Sequence, residues 1–378
     1  MFDTSDGSRD QRRAAGRTLT VLVLSALAAA GCTIGPHTVA RDRFDYSGAV
    51  AESWKTQMLL NLVKIRYSDP PVFLDVGQIV SGYTVQSTFT ASGNIFSFNT
   101  PGGFNPSGVP SSSIGLGAQG QFTDRPTITY APLVGERFAR SFMAPVPPAA
   151  VLSLIQAGNP ADVVLRLTTH VVNGIHNRFG GDLRGQRADP RFYELLERLR
   201  RIQLSGAIGM RVRRLDREEG AVLMTFRQDV EPSVQDDILA MRKLLGLDPD
   251  AQELKVVYGS VAANDKEVAM LTRSVLEILV DISSLIMVPE AHVADRWVSP
   301  TAEPEVGPSG PIPPLIRIAS SADRPASAFV AVPYQDYWFW IDNRDIPSKR
   351  LFSFLMFVFT LVETGPKEAP PIITIPTG

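Results

Sequence analysis

Two hydrophobic periods alternate along the chain. Trp54, Met58, Leu62 and Ile65 recur at helical spacing and predict a helix over about 51–68. It stops at Asp69-Pro70-Pro71, because a residue before proline is pushed out of the helical region. Residues 72–76 then predict a short strand. From Tyr83 the period drops to two. Tyr83, Val85, Phe89 and Ala91 alternate with Thr84, Gln86, Thr88 and Thr90, and Ile114, Leu116, Ala118 and Phe122 alternate with Gly115, Gly117, Gln119 and Gln121. A stretch rich in Gly, Pro, Asn and Ser at 99–113 separates them, so the two runs predict one long hairpin over 83–122.

Helical patterns follow at about 133–143, 147–157 and 160–174, punctuated by prolines. Phe192, Leu195, Leu196, Leu199 and Ile202 mark another helix, followed by strands near 206–213 and 220–227. A helix over 233–246 and the strand 254–258 come next. Asn264 with Glu267 has the form of a capping box, and Val268, Leu271, Val275, Ile278, Leu279, Ile282 and Leu285 extend it into one long helix ending near Pro289. Beyond 299–314, which holds six prolines, strands are expected near 315–319, 328–333 and 336–342. A helix from Ser348 to about Glu363 and a tail strand at 372–375 end the chain. This order predicts an α+β fold of mixed helices and mainly antiparallel strands, with a long N-terminal β-hairpin. The expected divisions are 51–178, 179–298, a proline-rich linker or insertion at 299–314, and 315–378.

The first residues change the picture more than any core pattern. Arg12, Arg13 and Arg17 precede a short apolar run over 21–30, followed by Ala29-Ala30-Gly31-Cys32. The run is too short to span a bilayer comfortably and has the layout of an export signal. Together the signal and Ala29-Ala30-Gly31-Cys32 resemble the lipobox of bacterial lipoproteins. The resemblance implies cleavage after residue 31, covalent lipid on Cys32, and a tether over 32–50. Two or three acyl chains anchor stably where one does not. Thr33, where enterobacterial lipoproteins kept in the inner membrane carry Asp, implies the outer membrane; the body is expected to face the periplasm, although the sequence also allows the outside. Segments 66–75 and 339–345 also resemble uncharacterised envelope lipoproteins of Gram-negative bacteria, and that resemblance carries no activity with it.

Composition removes other classes. The chain has 378 residues and a net charge of −2, so it has no whole-molecule field for nucleic acid. One cysteine excludes an internal disulfide framework. Gly115-Leu116-Gly117-Ala118-Gln119-Gly120 matches the dinucleotide pattern but sits in an alternating strand, where no helix N-terminus can meet a pyrophosphate. The histidines His37, His170, His176 and His292 form no ligand motif, and no nucleophile motif is present. No metal, no cofactor beyond the covalent lipid and no catalytic residue is expected.

Three features can carry binding. Residues 178–217 hold eleven arginines against five acids, and Arg198, Arg200, Arg201, Arg211, Arg213 and Arg214 could converge on an anionic ligand or partner. Trp338 and Trp340 precede a segment that is apolar nearly all round, and could anchor an interface. The hairpin strands approach the 9–11 residues that cross a bilayer within a barrel. The leading expectation is a membrane-anchored lipoprotein that binds or scaffolds within an envelope assembly, with other envelope proteins or its own copies as partners. The alternative is an oligomeric outer-membrane pore or secretion-channel lipoprotein built on the 83–122 hairpin. An envelope hydrolase with a scattered active site is third.

Overall fold

Helix α1 runs from Pro36 to Arg66. The computed structural model describes residues 36–80, 83–93, 114–124, 127–180, 185–215, 218–227 and 229–360, so Cys32, the signal and the tail at 372–375 lie outside the described residues. The helix expected from about 51 therefore begins fifteen residues earlier, within the stretch expected to be a tether. Residues 43–49 are almost wholly exposed, which leaves no apolar stripe in the pattern to announce a helix there.

Strands β1 (Leu74–Val80), β2 (Tyr83–Gly93), β3 (Ile114–Asp124) and β4 (Thr127–Pro132) come next. Among the described residues β1 pairs only with β4, and β2 only with β3, both antiparallel. Helices α2 (Glu136–Met143), α3 (Pro148–Gln156) and α4 (Ala161–Thr168) lead into β5 (Thr169–Val172) and β6 (Ile175–His176). The helix expected over 160–174 thus stops at Thr168. Thr169 is extended, and from there the backbone pairs with a sheet strand instead of with itself.

Asp189 caps α5 (Pro190–Leu204), its side chain accepting from the Arg191 amide at 2.9 Å. The strands β7 (Ile208–Leu215) and β8 (Glu218–Phe226) follow, then α6 (Pro232–Leu245), which Gly246 ends at φ 66°. After β9 (Glu253–Tyr258) the long helix expected from Asn264 is two elements. These are β10 (Glu267–Thr272) and α7 (Val275–Ser283). Asn264 and Glu267 do accept nearby amides, from Lys266 and Ala263, but they close a turn that opens a strand. The capping box is Ser274 with Glu277. β10 lies inside the six-stranded sheet β6-β5-β10-β9-β8-β7 and is buried on both faces. Its near-continuous apolar run reads the same for a buried strand as for a buried helix.

The last part comprises α8 (Glu290–Ala294), β11 (Val306–Gly307), β12 (Gly310–Pro311), β13 (Ala319–Ser321), β14 (Ala328–Tyr334), β15 (Tyr337–Asp342) and α9 (Ile346–Thr360). The proline-rich segment 299–314 lies against the body. Arg66 donates to the Ser299 and Pro300 carbonyls, Arg166 to that of Pro313, and Ser309 to Glu197.

Two apolar cores result. One joins the six-stranded sheet to α3–α6, centred on Phe192, Leu195, Ile202 and Leu254. The other joins α1, α7, α9 and the sheet β13-β15-β14, around Leu59, Leu62, Ile278, Phe339 and Phe352. Helices and antiparallel strands, with β9 and β10 the single parallel pair among the described residues, make the fold α+β.

Candidate functional site

β1 with β4 and β2 with β3 form two antiparallel two-stranded ribbons, the first of which leaves the second core at Phe73. Its root is fixed on α1. Asn61 Nδ2 donates to the Val72 carbonyl at 2.8 Å while the Val72 amide donates to Asn61 Oδ1 at 2.9 Å. Two residues on, the Leu74 amide donates to Gln57 Oε1 at 3.1 Å. Contact moves four residues back along the helix as the chain advances by two. Rises of about 1.5 and 3.3 Å per residue make those steps equal at roughly 6 Å. The strand therefore sets out antiparallel to α1, toward the helix's N-terminal end. The return leg joins at the same level, with the Leu133 amide donating to the Phe73 carbonyl at 2.9 Å.

Every residue of β4 is exposed, including Ile128 and Tyr130. The β2–β3 ladder pairs Val85 with Phe122, Phe89 with Ala118 and Ala91 with Leu116. The intervening register pairs Gln86 with Gln121, Thr88 with Gln119 and Thr90 with Gly117. Successive residues of a strand point to opposite faces, so this register puts Val85, Phe89, Ala91, Leu116, Ala118 and Phe122 on one face together with the Ser87–Gly120 and Tyr83–Asp124 pairs, and Thr84, Gln86, Thr88, Thr90, Gln119 and Gln121 on the other. Alternation within each strand is legible in the sequence, whereas the agreement of the two strands is a property of the register. A second signal runs through the same region. Between Asp75 and Asp124 no Asp, Glu, Lys or Arg occurs, a run of 48 residues in a chain that is 20% charged. Whole-chain composition averages that run away.

At the root, Trp54, Met58, Phe73, Leu133, Met356 and Phe359 line an apolar groove of about 220 Å³. Behind it Phe73 packs on Phe359 at 4.5 Å and Phe142 on Phe138 at 5.3 Å, so the ribbon starts from a rigid aromatic base.

Of the six arginines expected to converge, Arg198, Arg200 and Arg201 make bonds within the fold. Arg201 donates twice to Asp237, at 2.7 Å each, and Arg198 donates to Asp237 at 3.0 Å and to Glu194 at 2.7 Å. These bonds, that from Arg201 first, hold the buried Asp237 carboxyl below the usual carboxylate range. Arg200 donates to Gln203. Arg211, Arg213 and Arg214 lie on β7, and their side chains lie outside the described ones. Trp340 donates to Ser321 Oγ at 3.1 Å, and Arg324 lies over the Trp338 ring at 5.2 Å, with both indoles half-buried. They brace the small sheet.

A polar cavity of about 500 Å³ lies between Arg66, Arg178, Ser284, Arg187 and Glu303. Arg187 pairs there with Glu303, Arg178 pairs with Asp281 and donates to Ser284, and Arg66 donates to the Ser299 and Pro300 carbonyls. Near Ser274, a carboxylate sits between hydroxyl and imidazole: Ser274 Oγ donates to Glu277 Oε2 at 2.9 Å, and His170 Nε2 lies 3.3 Å from Glu277 Oε1. A nucleophilic serine needs the imidazole beside it to take its proton. This order reverses that, and the group works as a helix cap. His292 is buried against Tyr67, and His176 bonds to the Gly174 carbonyl. Among the described residues no cluster of His, Cys, Asp and Glu could hold a metal, and no helix is long and apolar enough to cross a membrane. The chain matches no family model, no curated protein and no solved structure.

Proposed function

We propose that this is a lipid-anchored protein of the bacterial outer membrane that serves as one subunit of an oligomeric β-walled channel. Cys32 carries the lipid, the α+β body faces the periplasm, and the hairpin built on β2 and β3 supplies two wall strands. The observation that carries the reading is the charge-free run between Asp75 and Asp124, with a register that sets a mainly apolar face, interrupted by Ser87 and Gly120, against a Thr/Gln/Gly face. An uncharged two-faced ribbon of this length has no core of its own. An isolated hairpin is marginal in water, and in lipid its open edges would leave backbone groups unpaired. Several copies side by side remove both problems, because each edge then pairs with a neighbour. The smallest closed barrels have about eight strands, so about four copies are the minimum. The scaffolding alternative receives less support, since Arg198, Arg201, Trp338 and Trp340 are already used within the fold.

The test is the mass of the particle extracted from membranes in mild detergent with Cys32 intact. A discrete homo-oligomer of four or more copies is expected. A single-copy particle, or a single copy bound to other envelope proteins, would overturn the channel reading.

A further inference from the structure

Two cavities share Arg66, Ser68, Ser299 and Pro300 in their walls. The larger, of about 500 Å³, adds Arg178 and Arg187, and the smaller, of about 410 Å³, adds Arg296. Four arginines thus line this double cleft against two acids, Glu303 and Glu305. The sequence between Gly180 and Gly185 holds one acid and one base, Asp182 and Arg184, and leaves that balance unchanged.

What sets Arg66 and Arg178 apart is their bonding. Arg178 is buried, 8% exposed, and donates to Ser284 Oγ at 2.9 Å. Asp281 Oδ1 lies 3.6 Å from it, beyond a hydrogen bond. That carboxylate is already engaged, Oδ2 with Arg273 Nη1 at 3.0 Å and Oδ1 with the Gly180 amide at 2.7 Å. One buried acid therefore stands between two guanidiniums. Arg66, the last residue of α1, donates to the Ser299 and Pro300 carbonyls, and its buried Nε donates to no described group. Burial holds the Arg66 pKa below its ordinary value, against the pull of Tyr67. Both side chains are hydrogen-bonded to neutral acceptors alone, and a charge withdrawn from water in that way is unfavourable until an opposite charge meets it. The carbonyls at the adjoining helix ends are occupied, that of Ser284 by the Ala302 amide and that of Lys64 by the Asp69 amide. Ser68 and Arg296 also hold positive φ, at 63° and 59°, a backbone that residues other than glycine adopt rarely and that gathers at binding sites.

We infer that this cleft binds a small hydrophilic ligand bearing a carboxylate or a phosphate, with Arg66 and Arg178 meeting its negative charge. The planar guanidinium fork matches either group with two parallel hydrogen bonds. Arg187 and Glu303 form an exposed pair in the same wall, with 77% and 76% of their side chains open to water, so their bond is weak enough to yield to a ligand. The site depends on neither the lipid anchor nor the channel.

The test is titration calorimetry on the full-length protein at constant ionic strength. The probes are citrate, glucose 6-phosphate and, as the uncharged control, glucose. Saturable binding of one or both anions is expected, with none of glucose, and the anion that binds more tightly tells carboxylate from phosphate. Arg66→Gln should weaken it about tenfold or more, the loss of a charge-assisted hydrogen bond. Arg178→Lys keeps the charge without the fork and should weaken it as well. Glu305→Gln removes a negative charge from the wall and should tighten it severalfold, a gain that no damaged fold could produce. No binding of either anion at millimolar concentration would overturn the site. So would equal binding of glucose, or affinities that Arg66→Gln and Glu305→Gln leave unchanged. Equal unfolding midpoints of the ligand-free variants keep lost binding separate from misfolding.

Discussion

Arg273 Nη1 lies 3.0 Å from Asp281 Oδ2, with 0% and 1% of the two side chains exposed. The same guanidinium donates to the carbonyls of Arg166 and Leu167 at the end of α4 and to that of Arg178. Asp281 Oδ1 meanwhile accepts the Gly180 amide at 2.7 Å. One ion pair thereby ties α4, the segment after β6 and α7 together where the two cores meet. Burial pushes the Arg273 pKa down, against the pull of Asp281. Replacing one partner leaves the other charge without compensation in the interior. Asp281→Ala should cost about 3–5 kcal/mol, read by denaturant unfolding. Arg273→Met combined with Asp281→Leu should recover much of it, and a cost below about 1 kcal/mol for the single variant would sink the assignment.

Gly180 sits where a Cβ would lie 2.0 Å from Ser284 Oγ and 2.4 Å from Ser284 Cβ. Gly180→Ala must displace α7 or the strapping segment, and should cost about 1–3 kcal/mol as an overpacking change. Adding Ser284→Gly should return most of that stability. Equal unfolding midpoints for the single and double variants would argue against the close approach.

His170 predicts a pH dependence. Burial, then the charge of Arg273, hold its pKa below the ordinary 6.5, despite Glu277 beside it and Asp281 beyond, which both pull it up. The unfolded chain therefore binds a proton on this residue at a higher pH than the folded one does. Stability should fall as the pH drops below about 7 through this window. Glu277 answers lower down. Burial raises it, but its bonds with Ser274 and His170 leave it below the ordinary 4.5, so its contribution is lost only at more acid pH. Urea unfolding at pH 7.5, 6 and 5 should show a slope that His170→Gln flattens. An unchanged slope would assign the effect elsewhere.

Arg201 offers a test of structure against binding. Its side chain is 51% exposed, so screening limits its bond with Asp237, and Arg201→Ala should cost about 1 kcal/mol or less. Asp237→Ala frees two guanidiniums at once and should cost more. Neither Arg198→Ala nor Arg201→Ala should weaken retention by vesicles containing anionic lipid. A clear loss there, at unchanged stability, would restore the arginine face as a binding surface.

Much of the fold was legible because it is written at short range. The starts of α3, α5 and α6 are proline-marked, the end of α6 is a glycine in the left-handed region, and β7 and β8 follow residues of obvious pattern. The two misread boundaries share one cause. At β5 and β10 an apolar run continues a helical stripe, and only sheet partners distant in the chain, Val171 with Leu271 for instance, turn it into a strand. Residues 43–49 of α1 failed to show for the opposite reason, because they are almost wholly exposed.

By itself, the sequence determined which residues alternate, where prolines and glycines break the chain, and that 48 consecutive residues carry no charge. These are properties of composition and period, which need no partner. Tertiary structure decided the rest. Asp237 on α6 occupies arginines of α5. The register aligns the apolar positions of β2 and β3. Asn61 and Gln57 turn the ribbon alongside α1. Each depends on hydrogen bonds or ladder pairs between different elements, and no local pattern contains them.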